Sequence, residues 1–243
     1  MGRTPHAGER FRAALGCARR GIPVLPLHHP VISGPPTRIG CSCEEPACLQ
    51  VGAHPIPQHG IEDATTDPLR IAWWWRRFPE ANLALATGYG FDALVVHGSE
   101  GDSARWLLVA EALRASGPLV RTGGDGWHFY FAPTGLASHR PLGLARIEWL
   151  GVGAWVAAPP SRHASGAVAA WVRDLDVPLP AAPAAIRARL DLPGPSFPWA
   201  GPEGSGPEGS RGPAPPLRAG EHEALASVSA EGTASVNPVR IRD

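Results

Sequence analysis

At 243 residues the chain has room for one substantial domain and not for two large ones. Its 22 basic residues are all arginine and balance 22 acidic ones, so the strong positive footprint of a dedicated duplex-binding domain is missing. Without lysine, Schiff-base chemistry, adenylated-lysine intermediates and the phosphate lysine of a P-loop are excluded.

The opening MGRTPHAGERFRAAL contains Glu9 and no extended apolar core, so it does not read as a secretory signal. No apolar run approaches the roughly 20 residues that span a bilayer. A cytoplasmic address without a membrane partner is the expectation. Over residues 9–20, Phe11, Ala14, Leu15 and Ala18 share one helical face, and Gly21 stands where a left-handed cap belongs. Ile22 to Leu27 is apolar, but Pro23 and Pro26 remove ladder donors, which suits an edge strand or extended segment.

A Pro/Gly-rich stretch leads to Cys41, Cys43, Cys48 and His54, spaced C-x-C-x4-C-x5-H. Four such ligands on one loop can close a tetrahedral Zn²⁺ shell and hold together a segment too short to fold alone. His59 is an alternative fourth ligand, and reduced, unliganded thiols are the competing reading. Cys17, on the first helix, reads as a small core residue.

Asp67-Pro68 predicts a helix start, with the carboxylate accepting from free N–H groups and proline in the first turn. Within that helix Trp73, Trp74 and Trp75 point about 100° apart, so at most two serve one surface, and core packing is favoured over base stacking. Strands are expected at Leu83 to Ala86 and Ala93 to Val96, separated by Gly88-Tyr89-Gly90. Asp102 or Ser103 can cap a helix ending near Gly117. Leu119 to Thr122 and Trp127 to Phe131 form a hairpin around Gly123-Gly124-Asp125-Gly126. Further strand follows from Ile147 to Ala158, broken by Gly151 and Gly153, and residues 181–190 form a last helix. The tail from 195 to 243, with GPEGS twice in tandem, cannot bury enough apolar surface to offset its ordering entropy and reads as disordered.

Several segments in succession resemble the N-terminal domain of bifunctional DNA primase/polymerases, the primase-polymerase branch of the archaeo-eukaryotic primase superfamily. They are GIPVLPL at 21–27, CSCEEPACLQVGAHP at 41–55, GIEDATTDP at 60–68, IAWWWRRFPEANLALATG at 71–88, RTGGDGWHFYF at 121–131 and IEWLGVGAWVAAPPSRHASG at 147–166. The resemblance implies an α/β (α+β) fold over 8–180, with the zinc loop as an insertion at 41–54. It also implies a site in which strands present acidic residues to Mg²⁺ or Mn²⁺ and a histidine to the incoming nucleotide, for two-metal phosphodiester formation.

His128 falls on the family's histidine. Gly123 and Gly124 would let backbone N–H groups approach phosphate, and Arg121 would support the same phosphates. Where the family has Asp-x-Asp at a strand end, this chain offers Gly98 and Glu100, and Glu148 stands at the third acidic position. Extending the strand with a period of two puts Gly98 and Glu100 on one face and His97 and Ser99 on the other; Asp102 can reach in from the loop. With Glu100 and Glu148 as the carboxylates, one metal or none is expected, and template-directed nucleotidyl transfer should be weak or lost. Expected partners are nucleotides, DNA or RNA, and other replication proteins. The competing functions are a non-catalytic zinc-containing regulatory or interaction module on the same scaffold, and an unrelated zinc hydrolase with an open metal position.

Overall fold

The apolar face of the first helix, α1 (Ala7–Arg19), buries Ala14, Cys17 and Ala18. It stops where Gly21 adopts φ +77° and the N–H groups of Gly21 and Ile22 return to the carbonyls of Ala18 and Cys17. The structure is a computed structural model that describes residues 7–98, 103–138, 144 and 146–190. Glu100, Asp102 and the tail expected to be disordered lie outside these residues.

β1 (Val24–Leu27) is an edge strand of a three-stranded antiparallel sheet completed by β4 (Asn82–Ala86) and β9 (Trp155–Ala158), in the order β1-β4-β9. The prolines explain the edge position, because a proline lacks the N–H a central strand needs. The outer rim is covered: Val24 exchanges backbone hydrogen bonds with Thr65, and the Pro26 carbonyl accepts from Ile56 N–H at 3.0 Å. Between β1 and β4 lies a hairpin of β2 (Pro30–Ser33) and β3 (Arg38–Cys41). Its prolines and glycines concealed it in the sequence.

A short 3-10 turn, Gly60–Asp63, precedes α2 (Pro68–Arg77). Asp67 accepts from Leu69 N–H at 2.9 Å and proline occupies the first turn, as expected from the capping pair. Trp74 and Trp75 are buried while Trp73 is 54% exposed, so two of the three tryptophans serve the core.

The second sheet contains β5 (Asp92–Val96), β6 (Leu119–Arg121), β7 (Trp127–Phe131), β8 (Ile147–Leu150) and β10 (Ala170–Arg173), in the order β10-β6-β7-β5-β8. The expected hairpin is β6–β7, whereas β10 was not foreseen. One face of this sheet, with Val95, Val120, Tyr130 and Leu150, packs against α1, α2 and the three-stranded sheet. The other face, with Leu94, Leu119, Phe129 and Trp149, packs against α3 (Ser103–Arg114) and α4 (Ala184–Leu190). β4 and β5 are consecutive in the chain yet belong to different sheets. Their link is pressed onto the β8–β9 link: Thr87 Oγ1 donates to the Gly151 carbonyl at 2.6 Å, and a β-carbon on Gly88 would lie 2.4 Å from Val152 Cα. Among the described residues no helix is long and apolar enough to cross a membrane.

Candidate functional site

The hairpin β2–β3 ends at Cys41, and the loop after it folds back so that Cys41, Cys43, Cys48 and His54 bring one ligand atom each within 4.8 Å of one another. Cys41 Sγ lies 3.4 Å and Cys48 Sγ 3.6 Å from His54 Nε2. Tetrahedral zinc with ordinary Zn–S and Zn–N lengths separates sulfur from nitrogen by about 3.6 Å, so the spacing fits that ion. His54 provides the fourth atom. The alternative, His59, is exposed and instead meets Asp63 at 3.3 Å.

The surroundings of the cluster favour the ligating forms. Burial works to raise the Cys41 thiol, but the backbone N–H groups of Cys43 and Gly52 and the neighbouring thiols outweigh it and hold its pKa below the ordinary value. Burial lowers His54, which keeps the ring neutral as a ligand must be. The ring also stacks on His28, with centroids 4.4 Å apart, and hydrogen-bonds to the Pro55 backbone, which can only accept. The cluster can therefore hold a metal ion. Four protein ligands leave no open coordination position, which disfavours a zinc hydrolase.

A cavity of about 280 Å³ lies beside this loop. The metal loop contributes Gln50 and Ala53, the five-stranded sheet contributes Val95, His97, His128, Glu148 and Leu150, and residues 154–157 close the opposite side. The placement of His128 and Glu148 follows from register. Val95 on the central strand β5 pairs with His128 on β7 and with Glu148 on β8, so all three side chains share one face. Burial pushes the His128 pKa down to about 3, with the His97 charge adding to the effect, so its imidazole is neutral at ordinary pH. Its Nδ1 is buried without a hydrogen-bond partner among the described residues.

His97 corrects the choice of face for the site: a period of two groups it with Val95, His128 and Glu148 on the cavity face, and Gly98 with Val96 on the other. His97 lies on the cavity side, its Nε2 3.7 Å from Glu148 Oε2. The regular strand stops at Val96, and Gly98 turns away with φ +66°, so a period of two cannot be carried through to Glu100. The strand position between His128 and Glu148 is apolar Val95. Among the described residues Glu148 is the one carboxylate lining the cavity.

Arg121 also departs from expectation. It pairs with Trp127, one step out of phase with His128, and so belongs to the opposite face of the sheet. Gly123 and Gly124 stay at the turn before β7, but the Gly124 N–H points to Thr122 Oγ1 at 3.4 Å rather than outward, and Gly126 N–H reaches the same oxygen at 3.0 Å. The glycines are required because the loop after β9 lies against them. A β-carbon on Gly123 would stand 2.5 Å from His163 Cβ, and one on Gly124 2.8 Å from His163 Nε2. Ser165 Oγ donates to the Gly123 carbonyl at 2.6 Å and completes the clamp.

Three further residues were not marked by any motif. Arg105, 1% exposed on α3, donates to the carbonyls of His97 and Gly98 at 2.9 and 2.6 Å, fixing the chain that carries His97. Asn82, 1% exposed, donates to the carbonyls of Gly52 and Arg162 and accepts from Arg162 N–H, tying the metal loop to the loop after β9. Gln50 lines the cavity from the metal loop.

The family model described as bifunctional DNA primase/polymerase, N-terminal, matches residues 14–185, a span that contains the metal loop, His97, His128 and Glu148. No curated protein matches the chain.

Proposed function

Because the chain belongs to the bifunctional DNA primase/polymerase N-terminal family, we propose that it is a nucleotide-binding module of that family in which template-directed nucleotidyl transfer is weak or lost. The observation that carries this reading is Val95, set between His128 and Glu148 on the strand face where metal carboxylates would be needed. Two dications held close together repel strongly, and one glutamate does not offset that repulsion. The described residues give a pocket with an apolar floor, a neutral imidazole and one carboxylate. Such a pocket can hold a nucleotide without supplying the two-metal chemistry that would join it to a strand.

In this reading the Cys/His cluster is a structural zinc site that shapes the neighbouring loop, and the nucleotide is free or at the end of DNA or RNA. The chain itself orients and desolvates. Glu148 and His97 form a polar pair at one end of the cavity, His128 offers a hydrogen bond without charge, and Val95, Leu150 and Val156 exclude water. Calorimetric titration of the full chain with deoxynucleoside triphosphates, with and without Mn²⁺, tests binding. Primer extension in Mg²⁺ and Mn²⁺ tests transfer: robust extension abolished by Glu100→Ala would overturn the loss of catalysis.

A second reading, an interaction module that binds no nucleotide, draws on the β2–β3 hairpin, where Val31, Ile32 and Ile39 are exposed beside the metal cluster. Heat on nucleotide addition separates the two, because that module would show none.

A further inference from the structure

The metal loop is more than a neighbour of the cavity, since its residues 50 and 53 form one wall. That wall is anchored by the metal ligands. Cys48 Sγ accepts from the Gln50 backbone N–H, and Cys41 Sγ accepts from Gly52 N–H at 3.4 Å. The Gln50 carbonyl accepts from Ala53 N–H at 3.0 Å, and the Gly52 carbonyl accepts from Asn82 Nδ2 at 2.9 Å. These hydrogen bonds run to metal ligands, within the loop and to Asn82, and Gly52 also lies against Pro30. Thiolates that turn apart when the metal leaves would release the wall.

The chemistry facing the cavity narrows what it takes. Among the described lining residues there is one carboxylate and no arginine, so a phosphate chain finds no permanent cation there. The apolar surfaces of Val95, Leu150, Ala154, Val156 and Trp155 suit a flat, weakly polar group. Gln50 adds an uncharged carboxamide, a paired donor and acceptor that matches the edge of a nucleobase. We propose that the cavity holds the nucleoside part of its ligand, that Gln50 reads the base edge, and that metal occupancy of the Cys/His cluster and nucleoside binding are thermodynamically coupled through the 50–53 wall.

This inference rests on the nucleotide-binding reading above. Coupling is reciprocal: whatever factor the metal adds to nucleoside affinity, the nucleoside must add to metal affinity. The metal ligands play no part in the reaction here, and the consequence is visible without any turnover.

The test uses the full, zinc-loaded chain and the four deoxynucleosides, which lack the phosphates that would themselves chelate zinc. Gln50→Ala should weaken the best-bound nucleoside about 5- to 10-fold and level the differences among the four, with zinc content unchanged. In wild-type protein a saturating nucleoside should raise the apparent zinc affinity, read by competition with a chromogenic chelator, several-fold. If wild-type protein binds no nucleoside or nucleotide, the nucleotide-binding reading falls and this inference with it. If it binds but Gln50→Ala binds equally well with the same base preference, the role of Gln50 is refuted while nucleotide binding stands. Should Gln50→Ala lose zinc, the wild-type competition decides, and a zinc affinity indifferent to nucleoside refutes the coupling.

Discussion

His128 and Glu148 face the same cavity from two strands that never touch, each paired across the sheet with Val95 of the strand between them. The arrangement makes Val95 the position at which the chemistry of the site can be changed. Val95→Asp would place a second carboxylate beside Glu148 in a nearly dry setting, since Val95 is 4% exposed. Without divalent metal this should cost about 3 to 5 kcal/mol of stability. Added Mn²⁺ should restore part of it in the variant and leave the wild type unmoved. Thermal melts with and without Mn²⁺ check this, and an equal Mn²⁺ response in both proteins would contradict it.

The buried imidazole of His128 predicts an acid sensitivity. Burial holds its pKa near 3 in the folded chain, against about 6.5 when unfolded. Between those values the unfolded chain binds a proton that the folded chain does not. The contribution is therefore complete above pH 6.5 and is lost as the pH falls toward 3, at up to about 1.4 kcal/mol per pH unit. Urea unfolding of wild type and His128→Gln at pH 7 and pH 5 should show the wild type losing more stability on acidification. Parallel losses would place the proton elsewhere.

Removal of the metal should loosen the Cys41 to His54 loop, leaving it the His28 N–H bond to the His54 carbonyl, the Asn82 bond to Gly52 and the Gly52 packing on Pro30. Cys43→Ser takes away one of four ligands, and zinc content should fall from one ion per chain to well below that. A loss of about 3 kcal/mol would lower the melting temperature by roughly 6 to 12 °C for a chain of this size. Elemental analysis alongside a melt checks both. Full zinc retention in the variant would show that the cluster is not the binding site.

At the glycine turn, the two neighbours should differ. Gly123→Ala drives a methyl into the Ala167 backbone carbonyl at 2.7 Å as well as into His163 Cβ, and should cost about 2 to 3 kcal/mol. Gly124→Ala meets the movable ring of His163, so its smaller cost should largely disappear in the His163→Ala background. A double-mutant cycle by urea denaturation measures this. Purely additive effects would mean that His163 is not what Gly124 accommodates.

The parts of the fold carried by local chemistry were legible in the sequence. Asp67-Pro68 marked the start of α2, Gly21 the end of α1, and the spacing and loop setting of Cys41, Cys43, Cys48 and His54 marked the cluster, with His59 left open as the fourth ligand. The β2–β3 hairpin did not, because Val31, Ile32 and Ile39 face outward and no alternation of apolar and polar residues distinguishes the strands. β10 is four residues long and partly exposed, and only its partner β6 makes it a strand. In the site, His128 and Glu148 were named from the family resemblance, whereas His97 was set aside because the site was assigned to the face of Gly98, although parity from Val95 groups His97 with His128 and Glu148. Asn82 acts through contacts 30 and 80 residues away, which no local pattern announces, while Arg105 bonds His97 and Gly98 from α3 and Gln50 matters only through the cavity it lines.

The crowding of Gly88 against Val152 bears on how the cavity meets a guest. Two chain crossings between the sheets are jammed together there, main chain on main chain, with Thr87 bolting one to the other. Main-chain contact this close leaves little room for a hinge, so the spacing of the facing sheets is expected to be the same with the cavity empty or filled. In the nucleotide-binding reading, any adjustment to a ligand would fall to the cysteine-bearing loop, whose residues 50 and 53 line the cavity.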